Sequence, residues 1–123
     1  MASPIQTILC PVDFSDASEE AVRYAVSLAE RIGASEVRIL HVHQPVAHVF
    51  PESAVVFDAE VIDDARGRMS RRLEDLAKRY SGHGVDVSAR LVDGVPYAVI
   101  VEHAGEVEAD LVVMGTHGRT GLA

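Results

Sequence analysis

Two glycines near the end of the chain have the spacing of a phosphate-binding turn. Gly115 and Gly118 form a G-x-x-G pair directly after the apolar run 111–114, which is typical of a buried strand. Glycine lets backbone N–H groups approach an anion closely, because it has no side chain to keep the anion away. The spacing predicts a nucleotide phosphate site at the end of this strand, although the pair is also compatible with a tight turn alone.

A carboxylate follows the first apolar run of the chain, residues 8–12. Asp13 stands directly after this run, where its oxygens can accept hydrogen bonds from the hydroxyls of a ribose. The same residue is also a candidate cap for the first helix. Ser15 and Asp16 offer caps too, and Glu19 stands three residues after Asp16 in capping-box spacing.

Histidine and cysteine patterns give weaker signals. His41 and His43 share one face of a predicted strand and form an H-x-H pair, but no third metal ligand is evident. His117 is interpreted as a turn residue near phosphate rather than a general base. Cys10 lies within an apolar run and is assigned to core packing. We predict no catalytic residue, because no Ser/His/Asp or Cys/His constellation stands in a recognisable context.

Length and composition limit the domain count, the partners and the compartment of the chain. A chain of 123 residues is one domain by length. Nineteen acidic residues against eleven basic ones give a net charge of −8, which disfavours nucleic acid as a partner. Cys10 is the single cysteine, so an internal disulfide is impossible and the chain fits a reducing compartment. No apolar stretch approaches the length of about 18 residues that a membrane helix needs. We expect a cytoplasmic protein without a membrane segment.

The hydrophobic pattern alternates between strands and helices. A continuous apolar strand is predicted at 8–12, further strands are predicted at 37–42 and 110–114, and an alternating strand, typical of a sheet edge, is predicted at 85–92. Helices are predicted between them. The second runs from about residue 58 to Tyr80. The third opens near Pro96, with a buried stripe through Ala98, Val101 and Ala104 or a shifted one through Ile100. This order predicts a parallel sheet with helices on both faces.

The strand ends define the place for a site. In such sheets a ligand binds beyond the carboxyl ends of the strands, where the strand order reverses. If the order is 3-2-1-4, Asp13 and Gly115 flank the same crevice. His43 and Asp93 follow the other two strands. A dinucleotide fold and a P-loop are excluded because their glycine motifs are absent. A phospho-receiver domain is disfavoured because Asp13 lacks an acidic neighbour to hold a divalent cation.

With those residues placed, the chain resembles the universal stress protein family. The resemblance rests on Ile-Leu-Cys-Pro-Val-Asp-Phe-Ser at 8–15, Ile-Leu-His-Val at 39–42, Gly-Val-Pro at 94–96 and Asp-Leu-Val-Val-Met-Gly-Thr-His-Gly at 110–118. Each piece is weak alone, but four in order span nearly the whole chain. The resemblance implies a three-layer α/β sandwich in which a parallel sheet has the order 3-2-1-4-5.

The resemblance also implies an ATP site. The family's ATP-binding branch carries G-x2-G-x9-G-[ST], and Gly115 and Gly118 match its first half. The Val42 position reads adenine through its backbone in family members. The contact residues implied for this chain are Pro11, Val12, Asp13, Val42, Met114, Gly115, His117, Gly118 and Arg119.

The chain departs from the family pattern at its end. Nine residues past Gly118, the next motif glycine would fall beyond Ala123. We therefore expect residues 1–123 to form one nucleotide-binding domain that lacks the last helix and the fifth strand. In much of the family that strand mediates dimerisation, so a homodimer is expected of the intact protein.

The expected function is that of an ATP-binding regulatory protein of the stress response, with ATP bound with or without Mg²⁺. Two alternatives stay open at this point. One is a slow ATPase, and we lean against it because Asp13 and Arg119 are the only evident residues for holding a cation and neutralising phosphate. The other is an interaction module of the same fold that binds no nucleotide.

Overall fold

The computed structural model describes residues 4–45, 59–82 and 84–115. Strands and helices alternate along these ranges, as the sequence pattern predicts. The elements are β1 (Thr7–Pro11), α1 (Asp16–Ile32), β2 (Glu36–His43), α2 (Ala59–Tyr80), β3 (Asp86–Asp93), α3 (Pro96–Glu106) and β4 (Leu111–Val112).

The four strands form one parallel sheet in the order β3-β2-β1-β4. The predicted order 3-2-1-4 is confirmed, and so is the edge position of the strand with alternating polarity, β3. The reversal of strand order falls between β1 and β4, since β1 pairs with β2 on one side and with β4 on the other. Every crossover between these strands contains a helix, as parallel pairing requires.

Helices cover both faces of the sheet. Ile8 and Cys10 of β1 point into a cluster that α1 and α2 close, with Val22 and Leu73 among its buried members. The next residue of the strand, Leu9, points into a second cluster on the other face. That cluster also contains Leu40 and Val42 and is covered by Val99, Ile100 and Ala104 of α3. The central strand is therefore buried on both faces, which explains its continuous apolar sequence.

The start of α1 differs in one detail from the sequence prediction. Ser15 is the N-cap, and its hydroxyl accepts a hydrogen bond from the Ser18 N–H at 3.2 Å. The capping box based on Asp16 and Glu19 is therefore wrong, because both residues lie inside the first turn. The helix ends at Gly33, which adopts a left-handed φ of 74° and donates its N–H to the Ala29 carbonyl.

In α3 the structure selects the shifted stripe. Ile100 and Ala104 pack against the second cluster, whereas Ala98 is exposed and Val101 is 71% exposed. The stripe through Ala98 and Val101 is therefore wrong. Both stripes have apolar residues at helical spacing, so periodicity alone does not distinguish them. Pro96 begins the helix, where its missing N–H costs no hydrogen bond.

Candidate functional site

A cavity of about 280 Å³ lies at the carboxyl end of the sheet, where β1 and β4 separate. Residues from both strand ends, from the end of β2 and from the starts of α1 and α3 surround it. The lining residues are Pro11, Val12, Asp13, Ser15, Ser18, Leu40, His41, Val42, Pro96, Ile100, Met114 and Gly115. Its position is the one that strand-order reversal predicts for a ligand site in an open parallel sheet.

Most of the contact residues implied by the sequence come together around this cavity. Pro11, Val12 and Asp13 lie at the end of β1, Val42 lies in β2, and Met114 and Gly115 follow β4. The remaining predicted contacts, His117, Gly118 and Arg119, lie outside the described residues. The structure thus brings the described members together, and their role in binding stays a prediction.

Pro11 accounts for the opening between β1 and β4. Main-chain pairing along this edge extends to the Val113 N–H, which donates to the Leu9 carbonyl at 2.9 Å. On the other side of β1, the Val12 N–H donates to the Leu40 carbonyl at 2.8 Å. Successive N–H groups of a strand point to alternate sides, so Pro11, which has no N–H, lacks its donor on the β4 side. The ladder with β4 stops there, and the cavity begins.

The Asp13 carboxylate shapes the turn between β1 and α1. Its Oδ1 accepts a hydrogen bond from the Ser15 N–H at 2.9 Å, and the Asp13 N–H donates to the Ser18 hydroxyl at 3.3 Å. Asp13 is therefore not the N-cap of α1, because Ser15 has that role. The carboxylate organises the turn from within the cavity wall, so the turn-forming and ligand-binding roles are compatible.

The cavity has an apolar side and a polar side. Pro11, Leu40, Val42, Pro96 and Ile100 form an apolar wall, in which the two β2 residues belong to the buried cluster beneath α3. Opposite them, Asp13, Ser15 and Ser18 bring carboxylate and hydroxyl oxygens to the N-terminal end of α1. The positive end of a helix dipole favours anionic groups nearby.

The contacts predicted from the sequence leave out six of the lining residues: Ser15, Ser18, Leu40, His41, Pro96 and Ile100. A usable signal was present for two of them. Ser15 and Pro96 are helix-start residues, and in a parallel α/β sheet the helices start at the same edge as the site. The remaining four depend on which face of a strand or helix points to the crevice, and this is set by packing.

His41 is held against the turn that carries Asp13. Its Nδ1 lies 2.8 Å from the Val12 carbonyl oxygen, and its ring centroid lies 4.5 Å from that of Phe14. Among the described residues, no group of three or more His, Cys, Asp or Glu side chains is arranged to hold a metal ion. These contacts show that His41 packs against the turn between β1 and α1.

The other two strand-end candidates lie away from the cavity. His43 and Asp93 are neighbours in the register of β2 and β3, and the Gly94 N–H donates to the His43 carbonyl at 3.0 Å. The Asp93 carboxylate forms an ion pair with Arg66 of α2. Neither residue is part of the cavity lining. Asp93 therefore connects the end of β3 to α2.

Comparison with known proteins agrees with the fold. The family model described as the universal stress protein family matches residues 4–123. The chain belongs to the universal stress protein family. The resemblance noted in the sequence is thereby confirmed.

Individual universal stress proteins match along most of this chain. Universal stress protein MJ0531 of Methanocaldococcus jannaschii is 32% identical over 116 residues, which cover 94% of this chain and 66% of that protein. Universal stress protein YxiE of Bacillus subtilis is 31% identical over 121 residues, covering 94% of this chain and 81% of that protein.

Solved structures extend the similarity to three dimensions. The structure of MJ0577 superposes with a TM-score of 0.79 at 29% identity, covering 96% of this chain and 79% of that one. A universal stress protein solved in complex with cAMP gives a TM-score of 0.66 at 30% identity, with coverage of 90% and 76%. Among the described residues of the present chain, no helix is both long and apolar enough to cross a membrane.

Proposed function

We propose that this universal stress protein binds an adenine nucleotide, specifically ATP, in the crevice between β1 and β4. The observation that carries the proposal is the two-sided cavity at the reversal point of the sheet. An apolar wall of Leu40, Val42 and Ile100 suits the flat face of a base, whereas Asp13 suits the ribose hydroxyls.

Size and chemistry support the same ligand class. A volume of about 280 Å³ is near the lower end of small-molecule sites, which span roughly 300–1,000 Å³. Such a space suits the base and ribose of a nucleotide, with the phosphates of the nucleotide extending toward Gly115 and the N-terminus of α1. The family member solved with cAMP contains an adenine nucleotide, which supports this choice of base.

The stress-response role follows from the family, and binding rather than hydrolysis is the proposed activity. A nucleotide-regulated protein needs a site whose occupancy changes with the concentration of the nucleotide, and it needs no bond cleavage. Dimer formation and a cytoplasmic location remain proposals that accompany this role.

Calorimetric titration of the chain with ATP, up to millimolar concentration, tests the proposal. We expect saturable binding of ATP and displacement by cAMP, with no displacement by inorganic triphosphate alone at the same concentration. The absence of any heat of binding for ATP would refute the proposal. Phosphate release, measured in the same samples, separates binding from slow hydrolysis. Release above background that depends on the protein would favour the ATPase alternative.

Two tryptophan substitutions on α3 provide a matched pair. Ile100→Trp places an indole in the apolar wall, so ATP binding should fall below detection. Val101→Trp places the same side chain on the solvent side of the helix, where the native residue is 71% exposed, so binding should be unchanged. Thermal unfolding of both variants checks that they fold. Equal binding by the two variants would locate the ligand elsewhere.

A further inference from the structure

We propose that Phe14, His41 and Arg72 form a clamp that sets the orientation of the Asp13 carboxylate. This inference rests on the nucleotide site proposed above, since it assigns these three residues as positioning residues for that site. Phe14 follows Asp13 in the turn, His41 belongs to β2 and Arg72 belongs to α2. Three separate parts of the fold therefore meet at one turn.

The backbone of Phe14 shows that the turn is held in place. Its φ is 63°, in the left-handed region that residues with a Cβ rarely adopt. A bulky aromatic residue keeps such a conformation where the surrounding structure fixes it, and such positions cluster at ligand sites. The Phe14 side chain packs against the core cluster beneath α1 and α2. The ring thus serves as the anchor of an otherwise unfavourable turn.

His41 holds the turn on both sides of Asp13. Its Nδ1 lies 2.8 Å from the carbonyl oxygen of Val12, the residue before Asp13. Because a carbonyl only accepts, Nδ1 carries the hydrogen of this bond. The imidazole ring lies 4.5 Å from the ring of Phe14, the residue after Asp13, at an interplanar angle of 46°. One side chain therefore contacts both neighbours of the proposed ribose-binding residue.

Arg72 completes the clamp from α2. The central carbon of its guanidinium group lies 4.2 Å from the centroid of the Phe14 ring, which is within the range of a cation–π contact. Arg72 is not among the residues that line the cavity. A contact-mediated effect of Arg72 on nucleotide binding therefore passes through Phe14, and the long-range effect of its charge is measured separately with Arg71.

The hydrogen bonds of Asp13 link the backbone conformation of Phe14 to the orientation of the Asp13 carboxylate. The Ser15 N–H donates to Asp13 Oδ1 at 2.9 Å, and this bond spans Phe14. A rotation about the Phe14 backbone moves the Ser15 N–H away from the carboxylate, which then loses one of its fixed partners. The clamp prevents this rotation, so it pre-organises Asp13 before the ligand arrives.

Substitution of Arg72 tests the clamp at a distance from the ligand. Arg72→Gln removes the cation–π contact, and we expect the affinity for ATP to fall about two- to fivefold. Arg71→Gln removes an equal charge from the neighbouring exposed position of α2 and should leave the affinity unchanged. The ratio of affinities for ATP and 2′,3′-dideoxy-ATP is the specific measurement, because it reports the hydroxyl contact of Asp13. This ratio should decrease for Arg72→Gln and stay at the wild-type value for Arg71→Gln.

His41 offers a rescue experiment. His41→Leu removes the hydrogen bond to Val12, and it should lower both the affinity and the hydroxyl ratio. His41→Asn places an amide N–H near the position of Nδ1, so it should restore part of both values. If both variants bind ATP with the wild-type affinity and ratio, His41 is not a positioning residue and the proposal is overturned.

Hydrogen exchange of the Ser15 amide separates the clamp from the nucleotide. In the ligand-free protein this amide should exchange faster in Arg72→Gln than in Arg71→Gln, because its bond to Asp13 Oδ1 is weakened. Unchanged exchange would refute the clamp, whatever the wild-type protein binds. Faster exchange in a protein that does not bind ATP would support the clamp and refute only the nucleotide site.

Discussion

Gly115 lies against the backbone of Ala17 in the first turn of α1. A Cβ on Gly115 would stand 2.9 Å from both the carbonyl carbon and the carbonyl oxygen of Ala17, and 3.0 Å from the Ser18 nitrogen. Contacts below 3.0 Å with backbone atoms require one of the two segments to move. The absence of a side chain at Gly115 therefore sets how closely the end of β4 approaches α1, and with it the width of the crevice.

Gly115→Ala is expected to destabilise the fold and to disturb the site. The added methyl group must displace the backbone of α1 or of the β4 end, and overpacking of this kind costs about 1–3 kcal/mol of unfolding free energy. Chemical denaturation measures the loss, and ATP titration should show weaker binding. Gly105→Ala is the control, because a Cβ there meets no atom within 4 Å and alanine favours the helix. A Gly115→Ala protein as stable as wild type would mean that the close approach is not required.

Asp13→Asn separates the two roles of this residue. Asparagine keeps an oxygen that accepts from the Ser15 N–H, so the turn is retained and the unfolding free energy should fall less than in Asp13→Ala. The charge is lost, and hydrogen bonds to charged groups exceed neutral ones by roughly 1 kcal/mol. We therefore expect ATP to bind about five- to tenfold more weakly. Asp13→Ala should lose stability as well as affinity. Wild-type affinity in Asp13→Asn would restrict the residue to forming the turn.

The elements of the fold and much of the site were predictable because they depend on local patterns. A continuous apolar run identified β1, and alternation identified β3 as an edge. The residues beyond the strand ends then placed Asp13 and Gly115 at one crevice. The stripe of α3 that faces the sheet was not decided, since Ile100 and Val101 are both β-branched and apolar. The contact between Phe14 and Arg72 joins distant segments, and no local pattern signals it.

Cys10 is expected to be inert in the folded protein. Its side chain is fully buried, and burial raises the pKa of the thiol from its ordinary value of 9.0 to about 12. A thiol reagent at pH 8 should leave the native chain unlabelled and modify the single thiol in denaturant. Because the folded pKa is raised, this group's contribution to stability is complete below pH 9 and is lost as the pH rises toward 12. Rapid labelling of the native protein would show that the strand opens readily.

Asp110 is expected to stabilise the junction of β4 with the start of β1. Its Oδ2 accepts hydrogen bonds from the N–H groups of Gln6 at 2.9 Å and Thr7 at 3.1 Å, and these bonds hold the pKa of the carboxyl below its ordinary value of 3.8. Since the folded pKa is lowered, the stabilisation is present above about pH 3.8 and is lost as the pH falls through the lowered pKa.

Asp110→Asn should therefore lower the unfolding free energy at neutral pH, because a neutral amide oxygen accepts the two N–H bonds less strongly than a carboxylate. Denaturation at a series of pH values measures the difference from wild type. It should be constant above about pH 5 and should shrink in more acidic solution, where the wild-type carboxyl takes up its proton. Asp86→Asn, an equal change of charge at the exposed start of β3, is the control for the loss of one negative charge. A difference between Asp110→Asn and wild type that persists unchanged at the lowest pH would mean that the ionised carboxylate does not account for the stabilisation. Among the residues that the structure describes, β4 pairs with β1 through two residue pairs, Ile8 with Leu111 and Leu9 with Val112. These hydrogen bonds, formed just before that short ladder, therefore help to fix the strand from which the wall of the crevice continues.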